Sequence, residues 1–284
     1  MINNNYILLA IATFFFSIFI IPGCVNKLFY YPDQKLYLTP AKKNLSYEDV
    51  FFQSQDGTRL HGWFVKAAKP PVGTVIHFHG NAQNLTAHFS SVDWFPEMGF
   101  NVFTFDYRGY GKSQGAPNRR GVFEDCIAAI SYIKTRPDVN PNNLFVFGQS
   151  LGGANAIAAL GENRFSGIRA AAIESTFYSY RSIVRDKIAQ IPILSLIRWP
   201  LSFLIVSNAH SPGPVVDRIS PVPILFIHGT EENVIPYPHS EKLFEQAKEP
   251  KQLWIVKDGG HTEAFTKFGY QYKEQLVEFF IKAL

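Results

Sequence analysis

Six short runs between residues 74 and 256 are apolar at nearly every position, and each ends near Gly, Asp or Glu. Runs of this kind are typical of strands buried on both faces of a parallel sheet. Segments with apolar residues at helical spacing, such as 123–133, separate them. This alternation predicts an α/β fold, with helices on both faces of a mostly parallel sheet. The runs are residues 74–79, 101–105, 144–147, 170–173, 223–227 and 252–256.

A β-hairpin is predicted ahead of these runs. Residues 47–53 and 59–65 have strand composition, and Asp56-Gly57 between them is a hairpin turn signal. The two strands bring the predicted sheet to eight strands. The folded domain is therefore expected to span residues 47–284.

The stretch 176–216 interrupts the alternation, because it lacks a strand pattern and holds prolines at 192, 200, 212 and 214. Residues 188–206 within it are strongly apolar, and Arg198 is their only charged side chain. We predict a small cap of short helices here, inserted after the sixth strand of the full sheet.

The overall composition fits a globular protein with a large core, since 46% of the residues are hydrophobic and 18% are charged. The formal net charge of +4 is mild, and the lysines and arginines form no long cluster. The sequence therefore predicts no nucleic acid partner.

The N-terminus predicts membrane association. Residues 6–21 are almost wholly apolar, the first charged side chain is Lys27, and Ile21-Pro22-Gly23-Cys24 resembles the end of a bacterial lipoprotein signal. We therefore expect a signal segment over 1–23, lipidation of Cys24, a tether over 24–46 and attachment to the bacterial cell envelope. An uncleaved N-terminal anchor and an ordinary signal peptide are the alternatives.

The pentapeptide Gly148-Gln149-Ser150-Leu151-Gly152 follows the apolar run that ends at residue 147 and precedes an Ala-rich helical pattern. A G-x-S-x-G sequence between a strand and a helix is the arrangement of a nucleophile elbow, in which the serine is exposed on a tight turn. Ser150 is therefore the candidate nucleophile, and the backbone N–H of Leu151 is a candidate oxyanion donor.

A second oxyanion donor is expected after the first apolar run, in the segment His79-Gly80-Asn81. The backbone N–H of Asn81 could stabilise, together with that of Leu151, the negative charge that develops during acyl transfer. A plain turn between strand and helix, with an Asn cap, is the alternative interpretation.

The base and the acid are expected at the ends of later strands. His261 follows Gly259-Gly260 after the last apolar run, and it competes with seven other histidines. Three carboxylates could orient its imidazole, and the position along the chain favours Glu232. Glu231 and Glu174 remain alternatives. None of the histidines has metal-ligand spacing, so we predict no metal site and no cofactor.

The loop after the second apolar run carries Asp106, Arg108 and Ser113. Charged loop residues usually brace one another. We therefore expect these three side chains to form a hydrogen-bonded wall of the site and to take no part in the chemistry.

Taken together, these motifs resemble the α/β-hydrolases, and within them the branch of membrane-anchored serine hydrolases that includes protein depalmitoylases. The resemblance covers roughly residues 47–284 and implies Ser150 as nucleophile, His261 as base and Glu232 at the acid position, which is usually Asp in this branch. The matching segments are His79-Gly-Asn-Ala82, Asp106-Tyr-Arg-Gly-Tyr-Gly111, Gly148-Gln-Ser-Leu-Gly-Gly153, His228-Gly-Thr230, Val234-Ile-Pro236 and Gly259-Gly-His261.

The expected function is a serine hydrolase that cleaves an ester or a thioester through an acyl-enzyme on Ser150. A small-molecule or lipid acyl ester is the expected substrate, because residues 190–207 are apolar and carry no acidic side chain that would hold a substrate amine. A serine peptidase and a membrane-anchored binding protein without catalysis are the alternatives.

Overall fold

The computed structural model describes residues 26–163 and 165–284. The predicted signal segment and Cys24 lie outside the described residues. Within the described ranges, no helix is both long enough and apolar enough to cross a membrane.

An eight-stranded sheet forms the centre of the domain. The strands of the protein are Tyr31–Pro32 (β1), Tyr47–Gln53 (β2), Arg59–Val65 (β3), Gly73–Phe78 (β4), Ala82–Gln83 (β5), Phe100–Asp106 (β6), Leu144–Gln149 (β7), Ile168–Glu174 (β8), Ile224–Gly229 (β9) and Lys251–Val256 (β10). The central sheet has the order β10-β9-β8-β7-β4-β6-β3-β2. The β2–β3 and β3–β6 pairs are antiparallel and all other neighbours are parallel, so the predicted mostly parallel sheet is confirmed.

Helices cover both faces of this sheet. Alternate residues of a strand point to opposite faces. In β4, Ile76 and Phe78 belong to one hydrophobic cluster and Val75 belongs to the other. The α-helices are Leu85–His88 (α1), Arg119–Thr135 (α2), Leu151–Glu162 (α3), Tyr180–Ala189 (α4), Pro192–Ser195 (α5), Arg198–Ile205 (α6), Pro238–Gln246 (α7) and Tyr270–Ile281 (α8). The 3-10 helices are Pro40–Lys43, Phe89–Ser91 and Gly213–Arg218.

The cap lies between β8 and β9 and consists of α4, α5, α6 and the 3-10 helix Gly213–Arg218. Prolines lie in the first turns of α5, α6 and the 3-10 helix, and Pro192 follows the end of α4. Pro192 is the first residue of α5, and Pro is tolerated at this position because its missing N–H would have no partner within the helix. The helix α4 begins with a capping box, in which Ser179 and Ser182 bond each other's backbone N–H groups.

The predicted tether over residues 24–46 overlaps the folded domain. Tyr31 and Pro32 form β1, which pairs with Ala82 and Gln83 in a small parallel sheet, and the Tyr30 side chain is buried. A tether would leave the Tyr30 ring in water, whereas its packing removes it from water. From Tyr30 onward the chain is therefore part of the folded domain.

Candidate active site

Ser150 lies between β7 and α3, and its backbone is held at φ 55° and ψ −123°. A positive φ is uncommon for a residue other than glycine, and such strain is concentrated at functional sites. Gly152 makes the turn possible, since a Cβ atom there would overlap the carbonyl oxygens of Phe78 and His79. The strand, the turn and the helix predicted around Ser150 are confirmed.

The structure brings His261 and Glu232 to this serine from two other strand ends. His261 Nε2 lies 3.1 Å from Ser150 Oγ, and His261 Nδ1 lies 2.6 Å from Glu232 Oε2. Because a carboxylate oxygen only accepts, Nδ1–H donates to Glu232 and leaves Nε2 free to accept a proton from the serine hydroxyl. The three side chains form one continuous chain of hydrogen bonds.

Two further hydrogen bonds hold the Glu232 carboxylate in place. The backbone N–H groups of Val234 and Ile235 donate to its Oε1 at 2.6 and 3.2 Å. Burial raises the pKa of Glu232, but the hydrogen bonds from His261 and from the two N–H groups outweigh it, so that the pKa lies below its usual value. Glu232 is therefore an anion that faces the imidazole. The neighbouring Glu231, an alternative from the sequence, is exposed.

Glu174, the other alternative, is buried beneath the site and has different partners. Its carboxylate accepts hydrogen bonds from Gln149 Nε2 at 2.6 Å and from Ala264 N at 3.0 Å. Burial raises the pKa of Glu174 to about 7, against the opposing effect of these hydrogen bonds. Glu174 thus links the turn that carries Ser150 to the loop that carries His261, without reaching the imidazole itself.

The two predicted oxyanion donors flank Ser150. Asn81 and Leu151 line the same cavity as the serine. Leu151 is the first residue of α3, so its N–H has no acceptor within the helix. A helix N-terminus favours negative charge, because its N–H groups and the helix dipole point towards it.

His79 fixes the direction of the Asn81 N–H. Its Nδ1–H donates to the Gly80 carbonyl at 2.8 Å, and this carbonyl shares one planar peptide unit with the Asn81 N–H. His79 Nε2 in turn lies 3.3 Å from Asp106 Oδ1. In the sequence analysis His79 belonged to the segment of the second oxyanion donor and had no role of its own.

The predicted loop of Asp106, Arg108 and Ser113 is only partly correct. Ser113 Oγ donates to the Asp106 carbonyl at 2.7 Å, as expected for a braced loop. Arg108 instead binds Asp125 on α2, with Nη2 2.8 Å from Asp125 Oδ1, and also contacts Asp56. Spacing along the sequence placed Arg108 beside Asp106, but β6 ends at Asp106 and Arg108 lies in the turn beyond it, where strand alternation no longer sets the direction of a side chain.

An apolar cavity of about 470 Å³ opens beside Ser150. Among the described residues that line it, Lys187 is the one with a charged side chain. The cap segment supplies the largest part of the wall, residues 28–31 supply another part, and the loops at the strand ends supply the rest. The apolar side chains of the wall are Leu28, Phe29, Tyr31, Leu151, Phe177, Ile183, Val184, Ile188, Ile191, Ile205, Val234 and Ile235.

Leu28, Phe29 and Tyr31 are the wall residues that sequence reasoning missed. They fell in the predicted tether, although the dense aromatic run from Phe29 to Tyr31 signalled a packed segment. Among the residues that the structure describes, no cluster of three or more His, Cys, Asp or Glu side chains is arranged to hold a metal ion.

The chain resembles known proteins over nearly its whole length. The family described as serine aminopeptidase, S33, matches residues 69–217. The uncharacterized protein YfhR of Escherichia coli K12 is 42% identical over 98% of this chain and 94% of its own length. The α/β-hydrolase domain-containing protein WAV2 of Arabidopsis thaliana is 31% identical over 86% of this chain and 82% of its own length.

A solved esterase of Pyrococcus furiosus has the same fold. It superposes with a TM-score of 0.70 at 23% sequence identity, over 89% of this chain and 97% of that chain. At this level of identity the likeness concerns the arrangement of strands and helices.

Proposed function

Because this chain belongs to the S33 serine aminopeptidase family of α/β-hydrolases, we propose that it is a serine hydrolase that cleaves carboxylic esters or thioesters. The observation that carries the proposal is the chain of contacts from Ser150 Oγ through His261 to Glu232, with distances of 3.1 and 2.6 Å. A nucleophile, a base and an orienting carboxylate in this order are what acyl transfer to water requires.

Acylation begins when Ser150 Oγ attacks the acyl carbon and passes its proton to His261 Nε2. The oxyanion that forms is stabilised by the N–H groups of Asn81 and Leu151. The bond from carbon to the alkoxide or thiolate then breaks, and the leaving group takes the proton from His261 Nε2. Glu232 holds the imidazole in the tautomer that accepts at Nε2 and stabilises its charged form.

Deacylation repeats these steps with water. His261 Nε2 takes a proton from the water molecule as its oxygen attacks the acyl carbon. The bond to Ser150 Oγ then breaks, and Ser150 recovers its proton from His261. A carboxylic acid is released and the free enzyme is restored.

The cavity supports an apolar acyl group as the part of the substrate that is recognised. Burial of each methylene contributes about 0.8 kcal/mol, or roughly a fourfold rise in kcat/KM. We expect kcat/KM to rise with acyl length across a series of nitrophenyl esters, until the cavity is filled. A constant kcat/KM beyond acetyl would contradict this choice of substrate.

Labelling by a fluorophosphonate probe tests the mechanism. We expect wild-type protein to be labelled and Ser150→Ala to lose labelling and ester turnover together. The matched control is Ser90→Ala, since Ser90 is an exposed serine outside the site. Undiminished labelling of Ser150→Ala would refute the proposal, and absence of labelling in wild type would favour a binding protein without catalysis.

The family description also names aminopeptidases, and the cavity argues against that activity for this chain. A peptide amine is a cation, and Lys187 at the cavity wall repels it. We therefore expect nitrophenyl esters of simple acyl groups to be hydrolysed faster than aminoacyl nitrophenyl esters of the same chain length. Faster cleavage of the aminoacyl esters would favour the peptidase.

We further propose that the N-terminal segment attaches the protein to a membrane through acylation of Cys24. The apolar residues 6–21 and the sequence Pro22-Gly23-Cys24 support this. In a bacterial host, Cys24→Ala should abolish incorporation of labelled palmitate. Unchanged incorporation would contradict the proposed lipidation.

A further inference from the structure

The cap exposes seven large apolar side chains within residues 191–204, here called the cap surface. It is formed by α5, α6 and the residues that flank them, and its members include the most exposed large apolar side chain described, Leu196 at 89%. Contiguous exposed apolar patches on soluble proteins usually mark an interaction site. The members are Ile191, Ile193, Leu196, Ile197, Trp199, Phe203 and Leu204.

The helix α6 is apolar both where it packs against the core, through Leu201 and Ile205, and where it faces solvent. Its buried residue is Ser202, whereas Trp199 and Phe203 are exposed by 56% and 54%. The Ser202 hydroxyl donates to the Trp199 carbonyl at 2.9 Å, so its burial leaves no unpaired polar atom. A helix that faces water normally buries its apolar stripe. The outer environment suited to α6 is therefore apolar.

Positive charge borders the cap surface. The Arg181 guanidinium lies 4.2 Å from the centre of the Phe203 ring, and that of Arg185 lies 4.0 Å from the Trp199 ring. Arg198 is exposed at the start of α6.

Negative charge is scarce in the same region. The sequence has no Asp or Glu between residues 187 and 216. The nearest carboxylate along the chain, Asp186, binds His239 at 2.7 Å. An apolar face with aromatic residues and a rim of Arg and Lys matches the interface of an anionic lipid bilayer.

The same surface adjoins the cavity and the N-terminal segment. Ile191 belongs to the cap surface and also lines the cavity beside Ser150. Leu28, two residues after the first described residue, lines this cavity too and is 51% exposed. The apolar residues 6–21 therefore precede a part of the chain that lies at the rim of the cavity.

We propose that the cap surface docks on an anionic lipid bilayer and turns the mouth of the cavity towards it. Apolar residues of α5 and α6 enter the interface, and the bordering arginines contact lipid phosphates. An acyl chain then passes from the bilayer into the cavity without crossing water. This last step rests on the proposed hydrolase function, whereas the docking does not.

Trp199 provides the test, because Trp63 and Trp94 are buried and Trp254 is half-buried. Full-length Ser150→Ala protein is reconstituted in vesicles of phosphatidylcholine and phosphatidylglycerol, with and without bromine on the acyl chains. We expect bromine to quench the emission and Trp199→Phe, made in the same background, to lose most of this quenching. Equal quenching with and without Trp199 would overturn the proposal.

Two variants separate the apolar and the charged contributions. Leu196→Asp should abolish the quenching of Trp199, whereas Ile281→Asp, at an apolar side chain that is 48% exposed on α8, should not. Arg198→Gln should reduce quenching in anionic vesicles, and added salt should weaken the same contribution. Quenching that is insensitive to both cap variants would refute the assigned surface.

Activity distinguishes docking from catalysis. With Ser150 intact, Leu196→Asp should lower turnover of an ester embedded in vesicles by about tenfold and leave turnover of a soluble short ester unchanged. Quenching of Trp199 without activity on any ester would refute the proposed hydrolase function but support the docking of the cap surface on the bilayer. Dimers in sedimentation, with Trp199 unquenched, would instead assign the surface to a second copy of this chain. Unquenched monomers would favour coverage by the protein's own N-terminal segment.

Discussion

The end of the sheet buries polar side chains, whereas the cap exposes apolar ones. At the sheet end, Ser150, Glu174 and Glu232 are buried, and each polar side chain has hydrogen-bond partners. In the cap, Trp199 and Leu196 are exposed. Buried polar groups depend on the geometry of their partners, so changes there alter chemistry and stability. Exposed apolar side chains leave much of their surface unpacked in the described fold, so changes there become visible mainly when another surface binds them.

The largest effect is expected at the carboxylate that orients His261. Glu232→Gln removes the anion that stabilises the charged imidazole, and kcat for a soluble ester should fall by about 10³–10⁴-fold. The matched control is Glu231→Gln, which changes an exposed carboxylate next to it. Similar losses of kcat in both variants, or no loss in Glu232→Gln, would contradict the role of Glu232 as the carboxylate that orients His261.

The second carboxylate should affect the pH dependence of stability. In the folded protein the pKa of Glu174 is raised from 4.5 to about 7, so between these values the folded state holds a proton that the unfolded state has lost. The free energy of unfolding should therefore fall as pH rises through this window, by at most about 3 kcal/mol.

Glu174→Gln removes this titration and should flatten that part of the profile. Denaturant unfolding of both proteins across the window gives the comparison, and the difference between them isolates the Glu174 contribution from that of other groups. Parallel profiles would show that the Glu174 carboxyl is not the source of the slope.

The turn beneath Ser150 is the next test. Gly152→Ala places a Cβ against the carbonyl oxygens of Phe78 and His79, which belong to rigid backbone. It should lower the free energy of unfolding by about 2–3 kcal/mol. Gly269→Ala is the control for backbone strain alone, since its φ is 64° and nothing lies within 4 Å of the added atom. Its expected cost is about 1–2 kcal/mol, and a smaller loss for Gly152→Ala would contradict the steric argument.

The smallest effect is expected on the cap surface. Leu196→Ser should change the free energy of unfolding in solution by no more than about 0.5 kcal/mol, because the side chain is exposed in the folded state. Leu225→Ser in the core of the sheet should cost about 3 kcal/mol or more. A large cost at Leu196 would mean that the cap surface is covered in solution.

Much of the fold followed from sequence patterns. The hairpin strands Tyr47–Gln53 and Arg59–Val65 have the predicted bounds, and the six later strands match their apolar runs to within a few residues. These elements are local, because a buried strand needs apolar side chains at every position and a hairpin needs a suitable turn. Ser150 was also identifiable, since its turn requires small neighbours in the sequence.

Other features depended on contacts between distant parts of the chain. The partner of Arg108 is Asp125, and the wall of the cavity includes Phe29 and Tyr31 from a segment predicted as a tether. Neither contact produces a periodic pattern in the sequence, because each joins a loop or a terminal segment to another element. The exposure of the cap surface could likewise not be predicted from the sequence, since an apolar run has the same pattern whether its side chains are buried or exposed.

The sequence by itself determined the alternating sheet and the order of Ser150, a carboxylate and His261 along the chain. It left Glu231, Glu232 and Glu174 as possible partners of the histidine, because all three follow strands whose ends meet at one edge. The tertiary structure decided which one contacts His261, placing Glu232 Oε2 2.6 Å from its Nδ1 and Glu174 beneath the turn. Hydrogen bonds depend on distances and angles in space, and these are set only when the strands pack side by side.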